Sequence, residues 1–316
     1  MSRSHGPILR ILILFLIAHS ARGDLGLVGD DLILDAAVWT DGHLLRAEQI
    51  GLARNEFVIE RAAAPVGITG RLGPVASLRV SADIGTVYPL DLYSGFHWGN
   101  GINVCAGQFV LPLGSEQMTD PGDAPIVNSS LLSGYAAPAG NRDIGLMGGV
   151  QKARFSLYGA VVNGAGANTA DNNLRKDVCG RLTLNPLADV DGTLAVRAYY
   201  GWPGAADTAW LTMAAEARLA SRPLELQIEA QSHRSSSLRN NAAYVQVTWS
   251  TGYVRPAGRF DIVLPQGEHL EWMLTGGLNV EPISNHLKVM LDCTYRRNYQ
   301  ANWSVLGFLF RLQAAI

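Results

Sequence analysis

Long apolar runs are almost missing from this sequence. After the first 20 residues, no stretch reaches the roughly 18 apolar residues of a membrane helix. Lysine is nearly absent too: only Lys152, Lys176 and Lys288 occur in 316 residues. With 25 basic against 27 acidic side chains there is no basic excess, so no nucleic-acid partner is expected. Cysteine is limited to Cys105, Cys179 and Cys293. Three widely spaced cysteines without a C-x-x-C argue against a disulfide scaffold and a zinc site. Catalytic and metal signatures are lacking as well. There is no H-E-x-x-H and no G-x-S-x-G, and the histidines are scattered, which reads as isolated loop residues. Asn163-Gly164-Ala165-Gly166-Ala167-Asn168 precedes no helix and so cradles no phosphate. Asp171-Asn172-Asn173 is too incomplete a run of oxygen ligands for calcium. No cofactor and no metal are expected. What the chain does have is apolar content, 48%, against 16% charged residues, too apolar for disorder. Its apolar residues are therefore abundant but dispersed.

The first segment is of another kind. Arg3 and Arg10 precede the short apolar core Ile11–Ala18, and Ala21-Arg22-Gly23 places small residues at −3 and −1 of a cleavage site. Residues 1–23 read as a secretory signal peptide, leaving 24–316 as the exported chain.

The rest alternates. In Leu224-Glu225-Leu226-Gln227-Ile228-Glu229-Ala230-Gln231 every even position is apolar and every odd one polar. Leu287–Arg296, Ala243–Ser250, Val178–Leu184 and Thr193–Tyr200 repeat the pattern. Strict period two means strands with one apolar and one polar face. Turn clusters such as Asp191-Gly192, Pro203-Gly204 and Gln266-Gly267 separate them, as in an antiparallel meander. About sixteen strands are predicted in one domain. They run from 31–39, 53–62 and 73–83 through 142–150, 152–163 and 256–264 to 302–315. The longest gap is 113–141.

Two architectures use such strands. A soluble sandwich or barrel hides its apolar faces, whereas a membrane barrel turns them to lipid around a polar lumen. Export, strands of roughly ten residues and aromatics near strand ends favour the membrane barrel. Those aromatics include Trp39, Tyr93, Tyr200, Trp202, Trp210, Trp272 and Tyr295. The fold class expected is all-β: a transmembrane antiparallel barrel of about 16 strands in a bacterial outer membrane, reached by Sec export, with lipid as its partner. If the N-terminus is periplasmic, the connection after strand five is the third external loop. That is the 113–141 segment, which is expected to fold toward the lumen.

Residues 99–112 and 141–185 carry a resemblance. The run Val104-Cys105-Ala106-Gly107-Gln108-Phe109-Val110-Leu111-Pro112 is followed by Glu116-Gln117, then by Gly140-Asn141-Arg142-Asp143-Ile144-Gly145. Leu157–Gly164 and Lys176–Pro186 complete it. In order and spacing these pieces resemble the phosphate-selective porin O/P family of bacterial outer membranes. The resemblance covers about half the chain. It implies a non-enzymatic, trimeric or monomeric diffusion channel for small hydrophilic solutes, with anions such as phosphate preferred. The chain departs from that family in its scarce lysine and in its non-aromatic end, Ala314-Ala315-Ile316.

In a pore, rings of lumen charge do the selecting. The candidate pore-lining residues are Arg79, Arg154, Arg181, Arg197, Arg218, Glu225, Glu229, Lys288, Asp292, Arg296 and Arg311. They serve either as anion contacts or as a salt-bridge ladder that stiffens the wall. Glu116, Asp120 and Asp123 are candidates for a constriction in the long loop, with Arg142 and Asp143 pinning that loop to the barrel. Two other readings stay open. One is a barrel enzyme, a hydrolase with a Ser/His/acid set assembled across strands. The other is an exported soluble β-protein that binds a ligand.

Overall fold

The computed structural model describes residues 32–49, 52–135, 140–171, 173–186, 191–202, 208–236, 238–266, 270–283, 286–299 and 302–315. The leader expected at 1–23, the turn expected at Pro203-Gly204 and the chain end at Ile316 lie outside them.

The strands are β1 (Leu32–Gln49), β2 (Leu52–Ala63), β3 (Pro65–Leu72), β4 (Ala76–Asp83), β5 (Tyr88–His97), β6 (Ile102–Val110), β7 (Arg142–Gln151), β8 (Phe155–Val162) and β9 (Asp177–Leu184). They continue with β10 (Asp191–Gly201), β11 (Trp210–Ser221), β12 (Leu224–Arg234), β13 (Arg239–Trp249), β14 (Val254–Pro265), β15 (Glu271–Ile283), β16 (Leu287–Asn298) and β17 (Trp303–Ala315). β2 and β3 run end to end, with Ala64 alone between them, and both pair with β1. They form one stave bent at Ala64, whose N–H leaves the ladder for Asp83 Oδ1 at 2.8 Å. Pro65, which follows, has no N–H to give.

Sixteen staves result. Each pairs antiparallel with the next, and β17 pairs with β1 from Ala37↔Ala315 to Gln49↔Trp303. The barrel is closed, so no edge is left unpaired, as hydrocarbon demands.

Alternation sets the two faces. In β10, Arg197 and Tyr199 are buried while Val196 and Tyr200 are exposed. Met213, Leu274 and Leu291 are likewise more than half exposed, as a lipid-facing band requires. Phe260, Trp272 and Tyr295 form an outward aromatic row, with ring centroids 6.2 and 5.4 Å apart. Trp39 does not belong to such a belt. It is buried, with the Arg311 guanidinium 5.6 Å over its ring. Tyr93 and Trp210 pack against the interior cluster instead.

Several strand limits differ from expectation, three of them instructively. β1 runs on to Gln49 instead of ending near 39, in unbroken register with β17; the extra residue at the register shift beside Asp41 and Gly42 is Glu60 of β2. Residues 65–72, between two predicted strands, are β3. β8 starts at Phe155, so Lys152–Arg154 form a turn.

The segment after β6 enters the barrel as expected. It carries one helical turn, α1 (Ser115–Met118), and a 3-10 turn at Ser133–Tyr135. Its root, Leu111 and Leu113, packs on Phe109, Val162 and Tyr199. Its far end, Leu132, packs on Ala242, Tyr244 and Val263.

Candidate functional site: a loop seated on a charged wall

A loop inside a barrel has a backbone problem. Its N–H and C=O groups lose water and have no ladder to replace it. Here the wall supplies the partners. Side chains with N–H donors meet loop carbonyls: Arg181 to Leu113 O at 2.6 Å, Arg311 to Pro121 O, Asn279 to Pro125 O at 2.7 Å and Arg259 to Asn128 O at 2.9 Å. Lys288 donates to Gly122 O at 3.0 Å and Ala124 O at 3.1 Å. Carboxylates meet loop N–H groups: Glu216 takes Ser115 at 3.1 Å, Asp292 takes Val127 at 2.6 Å and Asp261 takes Leu131 at 3.1 Å. All of these wall side chains are buried.

The same wall residues pair with one another. Arg181 grips Glu216 through both terminal nitrogens, Nη2 at 2.8 Å from Oε2. Arg197 binds Glu229 at 2.6 Å and sits 3.6 Å from Glu216. Arg259 pairs with Asp261 at 2.9 Å, and Arg311 with Asp41 at 2.6 Å. Arg218 holds Glu225 and Asp191, both at 3.0 Å. Arg296 pairs with Glu271 and lies 5.2 Å over Trp303. These ion pairs run along the wall, and the same side chains reach the loop.

Four expectations need correction. Arg154 is not on a strand face. It is exposed in the β7–β8 turn, at the end of the barrel opposite the one from which the long loop departs. Arg142 and Asp143 do not pin that loop. Arg142 pairs with Asp91 of β5 at 2.9 Å. Asp143 is buried and receives the N–H groups of Gly164 at 2.8 Å and Gly166 at 3.3 Å, thereby tying down the loop after β8. Glu116 turns back into its own loop, where it accepts Ser130 N at 2.6 Å and the Ser130 hydroxyl. Only Asp120 and Asp123 of the three loop acids are exposed. His233 is no loop histidine either. It is buried on β12, 3.0 Å from Thr212 Oγ1, and its ring lies 4.3 Å from that of Trp210.

Sequence reading missed Asp41, Asp91, Arg259, Asp261 and Asn279. A signal existed for one pair: Arg259 and Asp261 alternate with Phe260 and Ile262 inside a predicted strand, so period two puts both on the polar face. Which loop atoms they meet has no sequence signature.

The opposite wall, β4 to β8, stays open. A cavity of about 560 Å³ lies against it, lined by Arg79, Asp91, Tyr93, Asn103, Gln151 and Tyr158 among others. Its charges balance: Arg79 is 3.0 Å from Asp35 and 3.6 Å from Asp91, which also holds Arg142. Tyr158 lies flat over Gly149, where a Cβ would stand 2.2 Å from the ring. Among the described residues there is no cluster of three or more metal-ligating side chains.

No family model matches the chain, and no curated protein does. Solved structures match it along nearly its whole length. The anion-selective porin from Comamonas acidovorans superposes with a TM-score of 0.67 at 12% identity, covering 90% of this chain and 100% of that one. The fold is that of the outer-membrane porins. OmpT (in-vitro folded), an outer membrane protein of Vibrio cholerae, gives 0.67 at 10% identity, covering 92% and 99%. OprB of Pseudomonas putida gives 0.67 at 9%, covering 90% and 94%. At such identities the likeness is one of porin fold. It stops short of the phosphate-selective porin O/P family that residues 99–112 and 141–185 resemble.

Proposed function

We propose that this chain is an outer-membrane channel that passes small hydrophilic solutes by passive diffusion. One observation carries the reading: the long third loop is held to one wall of a closed sixteen-stave barrel, and a cavity with both polar and apolar lining remains along the other. A barrel of this strand number has room for an aqueous path, and the loop narrows it without filling it.

Selectivity follows from which charges stay free. The arginines under the loop are consumed by carboxylates and carbonyls, so they offer little to a passing anion. Along the open wall Arg79 and Arg142 are matched by Asp35 and Asp91. Asp120 and Asp123 add negative charge on the loop. The phosphate preference that the resemblance implies therefore has little support in this lumen, and weak charge selectivity is the reading we favour. Assembly as a homotrimer would follow the trimer form in which the similar OmpT is also known.

Planar-bilayer recording of the folded protein tests the channel. Discrete conductance steps are expected, with a reversal potential near zero in a salt gradient. Folded, inserted protein without steps would rule the channel out.

A further inference from the structure

Three side chains on the open wall form a hydrogen-bonded chain that diffusion does not need. Ser77 Oγ on β4 lies 2.9 Å from His97 Nε2 on β5. His97 Nδ1 lies 2.7 Å from Asn103 Oδ1 on β6. The amide of Asn103 is oriented by its own nitrogen, which donates to Gly101 O at 3.2 Å. With Asn103 Oδ1 as acceptor, Nδ1 carries the imidazole proton. Nε2 is then left as the acceptor for the Ser77 hydroxyl. This is the order of roles in a hydrolytic triad: nucleophile, base, and a third group that fixes the base's tautomer.

The backbone makes room for the set. Gly95 is the cross-strand neighbour of Ser77. A Cβ at position 95 would stand 2.9 Å from Ser77 Oγ and 3.3 Å from His97 Nε2. A methyl group there would press on both the hydroxyl and the imidazole and push them apart. His97 and Asn103 also line the 560 Å³ cavity, together with Tyr93, Met147 and Phe109, which give it an apolar side. Arg79 lies two residues beyond Ser77 on the same face of β4, its guanidinium held by Asp35 and Thr69.

We propose that Ser77, His97 and Asn103 form an esterase site in the barrel lumen, for small carboxylic esters with an apolar acyl or aryl group. Ser77 Oγ attacks the ester carbonyl carbon and its proton passes to His97 Nε2. The carbon–oxygen bond to the leaving alcohol breaks, and His97 returns the proton to that alcohol. Water then attacks the acyl-serine with His97 as base, releasing the carboxylic acid and restoring Ser77. Ester and water are consumed, acid and alcohol leave, and no further reactant is needed. Ser77 and His97 are the catalytic residues; Asn103 is a positioning residue.

The test uses the full folded barrel in detergent, with a fluorophosphonate label and p-nitrophenyl butyrate as probes. Label on Ser77, located by peptide mass, and measurable hydrolysis are expected. Ser77→Ala and His97→Ala should lower hydrolysis about a hundredfold or more, the usual weight of a nucleophile–base pair. Gly95→Ala keeps all three side chains yet should also abolish labelling. Asn103→Leu should move the pH–rate profile, and Asn103→Asp should restore it. Single-channel recording and unheated-gel mobility of each variant show that the barrel still folds and conducts. A conducting wild type that takes no label at Ser77, or hydrolysis unchanged in Ser77→Ala, overturns the esterase site and leaves the channel reading standing. A labelled barrel that carries no current does the reverse.

Discussion

Replacing Arg181 with alanine separates the two roles open to the wall arginines. The Arg181 side chain is 7% exposed. Its guanidinium is shared between Glu216, Leu113 O at 2.6 Å and Ser115 Oγ at 3.0 Å. Arg181→Ala leaves Glu216, 4% exposed, with the Ser115 N–H at 3.1 Å and the more distant Arg197 at 3.6 Å. Stranding one member of a buried ion pair costs ~3–5 kcal/mol. Glu216 also keeps the Ser115 hydroxyl at 2.5 Å, and these three remaining contacts place the variant at about 3 kcal/mol, the low end of that range. Glu216→Ala should cost a similar amount, and the double variant less than the sum, by ~0.5–3 kcal/mol of coupling. Urea titration of the barrel in vesicles, read by folded against unfolded mobility on unheated gels, measures this. In planar bilayers the reversal potential of Arg181→Ala should match the wild type, while the current becomes noisier as α1 loses its seat. A cost within the ~0–1 kcal/mol of an exposed pair, together with a shifted reversal potential, would mean that Arg181 is solvated and faces the conducting path. The seat described above would then be wrong.

Further outcomes follow from the same geometry. Arg79→Ala should move the reversal potential toward cation preference, because Asp35 loses its arginine partner and Asp91 keeps only Arg142; Arg154→Ala, in the β7–β8 turn, should move it less. Leu291→Arg, on the outward face of β16, should destabilise the barrel in bilayers by about 2–4 kcal/mol; no effect on urea midpoints would place that face in water. Leu132→Ala empties the contact with Ala242, Tyr244 and Val263 and should cost about 2–5 kcal/mol, visible as a lower urea midpoint together with larger current fluctuations.

The barrel is legible in the sequence because period two is a local property. Leu224–Gln231 declares its faces within eight residues, and enough such segments count out the sixteen staves. The long loop is legible by its length alone. The local pattern gives out in two places: residues 40–49 continue β1 past the limit expected near 39, and residues 65–72, which open on Pro65, form β3. The seat of the loop is a different kind of information. Ser115 meets Glu216 across 101 residues of sequence, and Arg311 meets Pro121 across 190. Alternation tells that Asp261 and Asp292 face inward, but nothing in their neighbours names the N–H groups they take. The same limit hid Ser77, His97 and Asn103, which share no motif and meet only because three neighbouring strands are in register.

The loop occupies one wall of the proposed channel and leaves a water path along the other. Single-channel conductance of the folded wild type, compared with a Lys288→Met/Asp292→Ala variant that loosens the loop's grip at Gly122, Ala124 and Val127, tests it most directly. Discrete steps in the wild type and larger or more fluctuating steps in the variant are predicted. Inserted, folded protein that carries no current, or a variant whose conductance falls, would contradict it.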